Sequence, residues 1–313
     1  MNNSTAFIFP GQGAQYPGMG KELFSEFKEA RKVYNEANEI LGFDLAKICF
    51  EGDKEELNKT SICQPAILVT SIAILRILES RGKNGNLDCR VTGGLSLGEY
   101  TAHVYAGSIS FKDAVHLVHM RGTFMQEACK QQPGGMVAIL KINDDDVQKL
   151  CEQKKEFGVV CVANYNSPGQ VVISGETKAL EEVSNAVKER GGKAVKLKVD
   201  GAFHSSLMRP AKDRLEKEIN KTTILKSKVP IITNVTGKYV SEPDEIRTAL
   251  VKQLDNPVLW KQSMENLMED GITKFCEFGP GKVLTGLLQK IDSTKEVKNI
   301  ESIKSIEECL CSI

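Results

Sequence analysis

Strand and helix patterns alternate along most of this sequence, and one segment in the middle breaks the alternation. Before residue 129 and after residue 201, short apolar runs typical of buried strands are followed by longer helical patterns. This order predicts a parallel sheet that is covered by helices on both faces. Between these points the order is β-α-β-β-α-β, as in a ferredoxin-like unit. The sequence therefore predicts an α/β protein in which residues 1–128 and 202–313 form a large domain and residues 129–201 an inserted small domain.

Charge and hydropathy exclude two classes of protein. Lys plus Arg and Asp plus Glu both number 41, so the net charge is zero and the basic excess of a nucleic-acid-binding protein is missing. The longest apolar stretch, Pro65 to Leu78, is interrupted by Ser71 and Arg76, and it is too short to span a bilayer. We therefore expect no nucleic acid and no membrane among the partners, and we expect this stretch to be a buried helix.

Cysteine usage and the N-terminus indicate the compartment. The nine cysteines are an odd number and contain no CxxC pair, which argues against both a disulfide framework and a metal knuckle. Free thiols are typical of a reducing cytosol. The first residues lack a basic region followed by a long apolar run, so no signal peptide is expected. These features predict a cytoplasmic protein.

A serine lies at the centre of a short glycine-flanked motif. Residues Gly94 to Gly98 have the form Gly-x-Ser-x-Gly and stand between a predicted strand, Cys89 to Gly93, and a helical pattern. This context is typical of a nucleophile elbow, a tight turn that lifts the hydroxyl of Ser96 clear of the sheet. The backbone N–H of Leu97 would then be free to stabilise an oxyanion. The alternative is an ordinary structural turn.

An ester-forming serine needs a base, which is usually histidine. On a helical wheel His116 and His119 fall opposite the apolar stripe, so we expect both to be solvated. His103 lies two turns beyond Ser96 on the helix that leaves the elbow, too far for a direct bond. His204 follows a predicted strand, where α/β folds place catalytic groups. It is the best candidate, and the alternative is a structural histidine at the domain junction.

A cation and a glycine loop complete the set of unusual features. Arg121 falls inside the apolar stripe of its helix, where it could form a core salt bridge, extend its charged end to solvent, or bind a substrate carboxylate with its planar fork. The loop Gly11-Gln12-Gly13 follows a strand, but Tyr16 stands where a dinucleotide-binding fingerprint needs glycine. The loop could instead bring Gln12 into an oxyanion hole.

Seven motifs in this order resemble the malonyl-CoA:acyl carrier protein transacylase family over nearly the whole chain. They are Phe9-Pro10-Gly11-Gln12-Gly13, Gln64-Pro65-Ala66, Gly94-Leu95-Ser96-Leu97-Gly98-Glu99-Tyr100, Met120-Arg121-Gly122, Asn164-Tyr165-Asn166-Ser167-Pro168-Gly169-Gln170, Gly201-Ala202-Phe203-His204-Ser205 and Glu277-Phe278-Gly279-Pro280-Gly281. The resemblance implies a hydrolase-like large domain with an inserted ferredoxin-like domain.

The resemblance also implies a ping-pong reaction without a metal or redox cofactor. Ser96 would be the nucleophile, His204 its base and Arg121 the receptor of the malonyl carboxylate, while Gln12 and the Leu97 N–H would form the oxyanion hole. The malonyl group would pass from malonyl-CoA to Ser96 and then to the phosphopantetheine thiol of acyl carrier protein, supplying fatty-acid or polyketide synthesis.

Further positions match the family, and one departs from it. Gln253 matches the residue whose backbone carbonyl orients the histidine, Gln64 matches a glutamine that lines the site, and Phe203 resembles the malonyl-selective form of its motif. Most members have histidine where this chain has Leu95, which leaves the shape and polarity of the acyl site open. Two alternative functions are an acyl-carrier-linked serine thioesterase or hydrolase, with water as acceptor, and a non-catalytic protein that docks acyl carriers.

Overall fold

A computed structural model describes residues 4–82, 87 and 89–311. Residues 1–3, which belong to the segment where no signal peptide is expected, lie outside the described residues. The described strands are β1 (Thr5–Phe9), β2 (Val91–Gly94), β3 (Gly135–Leu140), β4 (Val160–Ser167), β5 (Gln170–Gly175), β6 (Lys193–Lys196), β7 (Ile231–Ile232), β8 (Tyr239–Val240), β9 (Lys274–Phe278) and β10 (Glu296–Ile300).

Helices connect most of these strands. They are α1 (Lys21–Glu26), α2 (Lys28–Leu41), α3 (Leu45–Glu51), α4 (Lys54–Asn58), α5 (Thr60–Arg81), α6 (Leu97–Tyr105), α7 (Phe111–Gln131), α8 (Asp144–Gln153), α9 (Thr177–Glu189), α10 (Arg209–Lys221), α11 (Pro243–Gln253), α12 (Trp260–Glu269), α13 (Val283–Ile291) and α14 (Ile303–Cys311). Short 3-10 helices lie at Lys155–Phe157 and Ser206–Met208.

The larger sheet has the strand order β10-β9-β1-β2-β7-β8, and every neighbouring pair in it is parallel except β7 and β8. Alternate residues of β1 enter different hydrophobic clusters: Phe7 and Phe9 join one, and Ala6 and Ile8 join the other. Because successive side chains of a strand point to opposite faces, both faces of this sheet are covered. The expected parallel sheet is confirmed, and the antiparallel edge strand β8 is an addition that the sequence did not predict.

The smaller sheet has the order β4-β5-β3-β6, and all its pairs are antiparallel. This is the strand order of a ferredoxin-like unit, as the β-α-β-β-α-β pattern predicts. Helices α8 and α9 cover one face with their own hydrophobic cluster, which includes Val147, Leu150, Ala179 and Val183. The sequence pattern predicts that the last strand of this unit ends at Val199. In the structure this strand, β6, ends three residues earlier, at Lys196.

The longest helix, α5, passes through the core. By length and composition it could cross a membrane, but 83% of its most apolar window is buried inside the fold. The predicted buried stretch from Pro65 to Leu78 lies within it, and the helix extends beyond that stretch at both ends. The fold therefore uses α5 as a core helix, against which α2 and α7 pack.

His103 is a structural residue in this fold. It is fully buried on α6, its Nδ1 lies 2.9 Å from Ser108 Oγ, and its Nε2 has no hydrogen-bond partner among the described residues. Burial without a charge partner lowers the pKa of His103 to about 3. The native protein therefore keeps this imidazole neutral at pH values where the unfolded chain binds a proton.

We expect His103→Gln to reduce the acid sensitivity of the fold. A folded pKa below the unfolded value of about 6.5 gives a contribution that is present above pH 6.5 and is lost as the pH falls. At pH 5 this loss is about 2 kcal/mol for His103. Urea unfolding at pH 7.5 and pH 5 should therefore show a smaller decrease in the free energy of unfolding for His103→Gln than for wild type. His116→Gln, at an exposed position, should show the same decrease as wild type. An unchanged drop in His103→Gln would show that another group carries the effect.

Candidate active site

The candidate nucleophile occupies a strained turn between β2 and α6. Ser96 has φ 53° and ψ −104°, a backbone conformation that is costly for a residue with a side chain. The turn needs glycine on both sides: a Cβ on Gly94 would lie 2.1 Å from the Gly98 carbonyl carbon, and one on Gly98 would lie 2.1 Å from the Phe9 carbonyl oxygen. The geometry is that of the predicted elbow, and it presents the serine hydroxyl to a buried cleft.

The candidate base lies directly against this hydroxyl. Ser96 Oγ is 2.9 Å from His204 Nε2, and His204 Nδ1 is 3.0 Å from the carbonyl oxygen of Gln253 and 3.2 Å from that of Asn256. Since carbonyl oxygens only accept, Nδ1 carries the proton and Nε2 accepts from the serine. Burial, and then the charge of Arg121, lower the pKa of His204 to about 4. The imidazole is therefore neutral at physiological pH, and its Nε2 is free to accept a proton.

Arg121 also reaches the serine. Its Nη2 donates to Ser96 Oγ (2.9 Å) and to Gln253 Oε1 (3.1 Å), and its Nη1 donates to Gln64 Oε1 (2.9 Å). The side chain is 1% exposed, so it does not extend to solvent. Among the described residues no carboxylate lies within 4.0 Å of the guanidinium, so the core salt bridge considered from the sequence is absent there. The structure therefore offers a buried cation held by neutral groups.

The remaining predicted site residues lie in the glycine loop, on α5, in the first turn of α6 and directly before His204. Gln12 Nε2 donates to Thr60 Oγ1 (3.3 Å), and Gln12 Oε1 accepts from Gln64 Nε2 (3.5 Å), which places the glycine loop beside α5. The Leu97 N–H is in the first turn of α6, where backbone amides have no partner within the helix. Phe203, which is 6% exposed, precedes the histidine.

A cavity of about 180 Å³ joins these groups. The part of the chain that forms the larger sheet (the large lobe) and the part that forms the smaller sheet (the small lobe) both contribute to its wall. The wall is polar on the side of the serine and largely apolar elsewhere. Its lining includes Gln12, Leu95, Ser96, Arg121, Met125, Met136, Asn164, Asn166, Gln170, Val172, Leu197, Val199, Phe203, His204, Val283 and Leu287. Leu95, the departure from the family pattern, contributes apolar surface next to the nucleophile.

The other three histidines lie away from the serine. His103 is bonded to Ser108, as described above, and His116 is exposed at 3.8 Å from Glu218. The expectation that His119 is solvated is wrong, because its ring is half-buried and its Nδ1 lies 3.0 Å from the Ser61 carbonyl. The approach of α7 to the start of α5 covers this part of the helix.

Sequence reasoning missed two buried residues that touch the serine turn or its supports. Asn234 Oδ1 accepts from the Ser96 N–H (2.6 Å), and Glu99 Oε2 accepts from Gln253 Nε2 (2.7 Å). Both residues are at most 2% exposed. A signal for Glu99 was present, because an acidic residue in the first turn of a buried helix needs a partner. Asn234 gave no comparable signal, because the sequence pattern places it only at the end of a short predicted strand, Val229 to Asn234.

Known proteins share both the sequence and this fold. Residues 6–308 match the acyl transferase domain family. The malonyl CoA-acyl carrier protein transacylase of Bacillus subtilis strain 168 is 42% identical over 304 residues, which cover 96% of this chain and 95% of that protein. The crystal structure of the Clostridium perfringens malonyl CoA-acyl carrier protein transacylase has a TM-score of 0.93 at 44% identity, covering 99% of this chain and 96% of that one.

A further solved structure contains a malonyl-transacylase in complex with its type II PKS acyl-carrier protein. That transacylase has a TM-score of 0.95 at 38% identity, and the match covers 99% of this chain and 100% of the other. Together these matches cover nearly the whole chain. This chain therefore belongs to the malonyl CoA-acyl carrier protein transacylase family of acyl transferases.

Proposed function

We propose that this protein transfers the malonyl group of malonyl-CoA to the phosphopantetheine thiol of acyl carrier protein through a malonyl ester on Ser96. One observation carries the proposal: Ser96 Oγ lies 2.9 Å from a neutral imidazole and 2.9 Å from a buried guanidinium. A base and a carboxylate receptor therefore meet at one nucleophile. The family membership supports malonyl as the acyl group and acyl carrier protein as the acceptor, for fatty-acid or polyketide synthesis.

The first half-reaction follows from the tautomer of His204. Its Nε2 takes the hydroxyl proton while Ser96 Oγ attacks the thioester carbonyl carbon. The N–H of Leu97 and the amide of Gln12 stabilise the resulting oxyanion. The carbon–sulfur bond then breaks, and Nε2–H returns the proton to the sulfur, so that coenzyme A leaves as a thiol. The carrier thiol repeats these steps in reverse and takes the malonyl group from the serine.

Arg121 supplies selectivity in this mechanism. A planar guanidinium binds both oxygens of a carboxylate, and such charge-assisted pairs are about twice as strong as neutral hydrogen bonds. Among the described residues of the free enzyme, Arg121 has only neutral acceptors, from Gln64, Gln253 and Ser96. A malonyl carboxylate gives it an anionic partner, whereas an acetyl group leaves the buried charge unpaired.

We also propose that residues 129–201 are a domain inserted between residues 1–128 and 202–313, and that it closes one side of the cleft. Its own hydrophobic cluster supports this division. Its strand β4 is bonded to the large lobe, since the Tyr165 N–H donates to Val258 O (3.0 Å) and the Val258 N–H donates to Ala163 O (2.8 Å). The small lobe is thus attached next to Asn256, whose carbonyl supports His204.

The cytoplasm is the compartment that we infer. Free thiols in the structure include Cys49, Cys63, Cys129, Cys151, Cys161, Cys276 and Cys311. Reducing conditions keep thiols in this form.

Ser96→Ala should abolish malonyl transfer and leave the fold intact, because the ester has no other oxygen on which to form. Mass spectrometry after mixing with malonyl-CoA should show a single malonyl adduct on the wild-type protein and none on the variant. Ser184→Ala, on the outer helix α9, is the matched control and should keep the adduct. An adduct that persists in Ser96→Ala, or that maps to a cysteine in the wild type, would contradict the covalent mechanism.

His204→Ala should slow formation of the acyl-serine by about 10²–10⁴-fold, the usual contribution of a general base. Rapid-quench measurement of the first turnover isolates this step from carrier binding. His103→Ala provides the comparison, since its ring is buried but bonded to Ser108 rather than to Ser96. A larger loss in His103→Ala than in His204→Ala would show that the base is assigned to the wrong histidine.

Arg121→Ala should lower malonyl transfer by about 100-fold, the cost of losing hydrogen bonds to a charged group, and should keep or improve acetyl transfer from acetyl-CoA. Arg121→Lys should restore little, since an ammonium cannot reproduce the planar fork. The measurement is the ratio of malonyl to acetyl transfer rates, with exposed Arg76→Ala as control. Equal losses of both rates in Arg121→Ala would assign the residue a structural role.

A further inference from the structure

Two side-chain amides hold the strained backbone of the nucleophile. The Ser96 N–H donates to Asn234 Oδ1 (2.6 Å), and the Ser96 carbonyl accepts from Gln253 Nε2 (3.0 Å). Asn234 Nδ2 donates in turn to the Gly94 carbonyl (2.7 Å), so its amide bridges the two sides of the turn. Both backbone polar groups of Ser96 are therefore fixed from chain segments more than 130 residues away in sequence.

These two residues meet at one oxygen of Glu99, a fully buried carboxylate in the first turn of α6. Glu99 Oε2 accepts from Gln253 Nε2 (2.7 Å) and from the backbone N–H of Asn234 (3.1 Å). The other oxygen, Oε1, is buried and has no hydrogen-bond partner within the described part of the chain. The Glu99 carboxyl group thus makes all its described hydrogen bonds to the residues that hold Ser96.

The acceptor at Glu99 decides which way the Gln253 amide points. Glu99 Oε2 and the Ser96 carbonyl both accept, so the end of Gln253 that faces them must be the NH₂ group. The opposite end, Oε1, then accepts from Arg121 Nη2 (3.1 Å). A reversed amide would place an NH₂ group against the guanidinium and an oxygen against the carboxylate, leaving buried groups unsatisfied at both ends.

The same chain of contacts connects a buried cation to a buried carboxyl group. Among the described residues the guanidinium of Arg121 has only neutral hydrogen-bond acceptors, and Glu99 lies one amide further on. Burial raises the pKa of Glu99 to about 7, while hydrogen bonds from Gln253 and Asn234 and the charge of Arg121 act in the opposite direction. An isolated carboxylate at this position would be costly, and the arrangement reduces that cost through Gln253.

We propose that Glu99 is a positioning residue for carboxylate recognition: by accepting from Gln253 through Oε2, it fixes the amide that aims Arg121 at the substrate. The inference rests on the proposed function of Arg121 as the malonyl-carboxylate receptor. It assigns Glu99 no contact with substrate. Its effect is on the selection of the acyl group, and it is transmitted through Gln253.

Glu99→Met and Glu99→Gln form a matched pair that tests this role. Both remove the charge and keep the side-chain length, but only glutamine keeps an acceptor oxygen for Gln253 and Asn234. We expect Glu99→Met to raise the KM for malonyl-CoA and to lower the ratio of malonyl to acetyl transfer at least tenfold. Glu99→Gln should keep this ratio within about threefold of wild type. Thermal unfolding of both variants checks that the comparison is made on folded protein.

Gln253→Met gives an independent measurement if Glu99→Met does not fold. This substitution removes the Gln253 amide that connects Glu99 to Arg121. It should lower the malonyl-to-acetyl ratio to the same extent as Glu99→Met. Three outcomes would each overturn the inference. The malonyl-to-acetyl ratio could be equal in wild type and in folded Glu99→Met, it could fall equally in the methionine and glutamine variants of Glu99, or it could be unchanged in Gln253→Met. Failure of the wild-type protein itself to transfer malonyl would instead overturn the proposed function, so the two failures are distinguishable.

Discussion

The site depends on a single oxygen, Ser96 Oγ, which donates a hydrogen bond to a neutral base and accepts one from a buried cation. The two contacts are compatible because burial and the charge of Arg121 together lower the pKa of His204 and keep its ring unprotonated. A protonated imidazole would face the guanidinium across a hydroxyl in a low-dielectric interior, which is unfavourable. Arg121, for which we propose a role in substrate selection, therefore also helps to keep the proposed base unprotonated.

Backbone strain occurs at the proposed nucleophile and at its proposed base, and Lys141 is the third non-glycine residue with positive φ in the described part of the chain. Ser96 and His204 both have positive φ, at 53° and 57°. Such conformations persist where the surrounding structure fixes them strongly. Asn234 and Gln253 fix the serine through its backbone, and the carbonyls of Gln253 and Asn256 fix the histidine ring. Gln253 is hydrogen-bonded to the serine, the histidine and the arginine.

The sequence predicted those features of the site that depend on local geometry. The elbow at Ser96 follows from two glycines at set distances, and the buried position of Arg121 follows from helical periodicity. His119 shows the limit of that periodicity. Its position on the helical wheel of α7 predicted that the side chain is exposed to solvent, whereas a different helix, α5, covers it. Glu99 was visible as a buried acid in a helical turn, but its partner Gln253 lies 154 positions away, and no periodic pattern connects them.

By itself, the sequence determined the fold class, and it predicted the division of the pattern at residues 129 and 201 and the reactive groups that we propose, because alternation, turn chemistry and residue type act over short distances. Tertiary structure alone decided which groups meet. It joined α6, α7 and α11 so that Ser96, Arg121 and Gln253 form one hydrogen-bonded set. It also placed an amide, and no carboxylate of the described residues, against the Arg121 guanidinium. Charge compensation in a buried site depends on distances of a few ångströms, and only the packed chain fixes those distances.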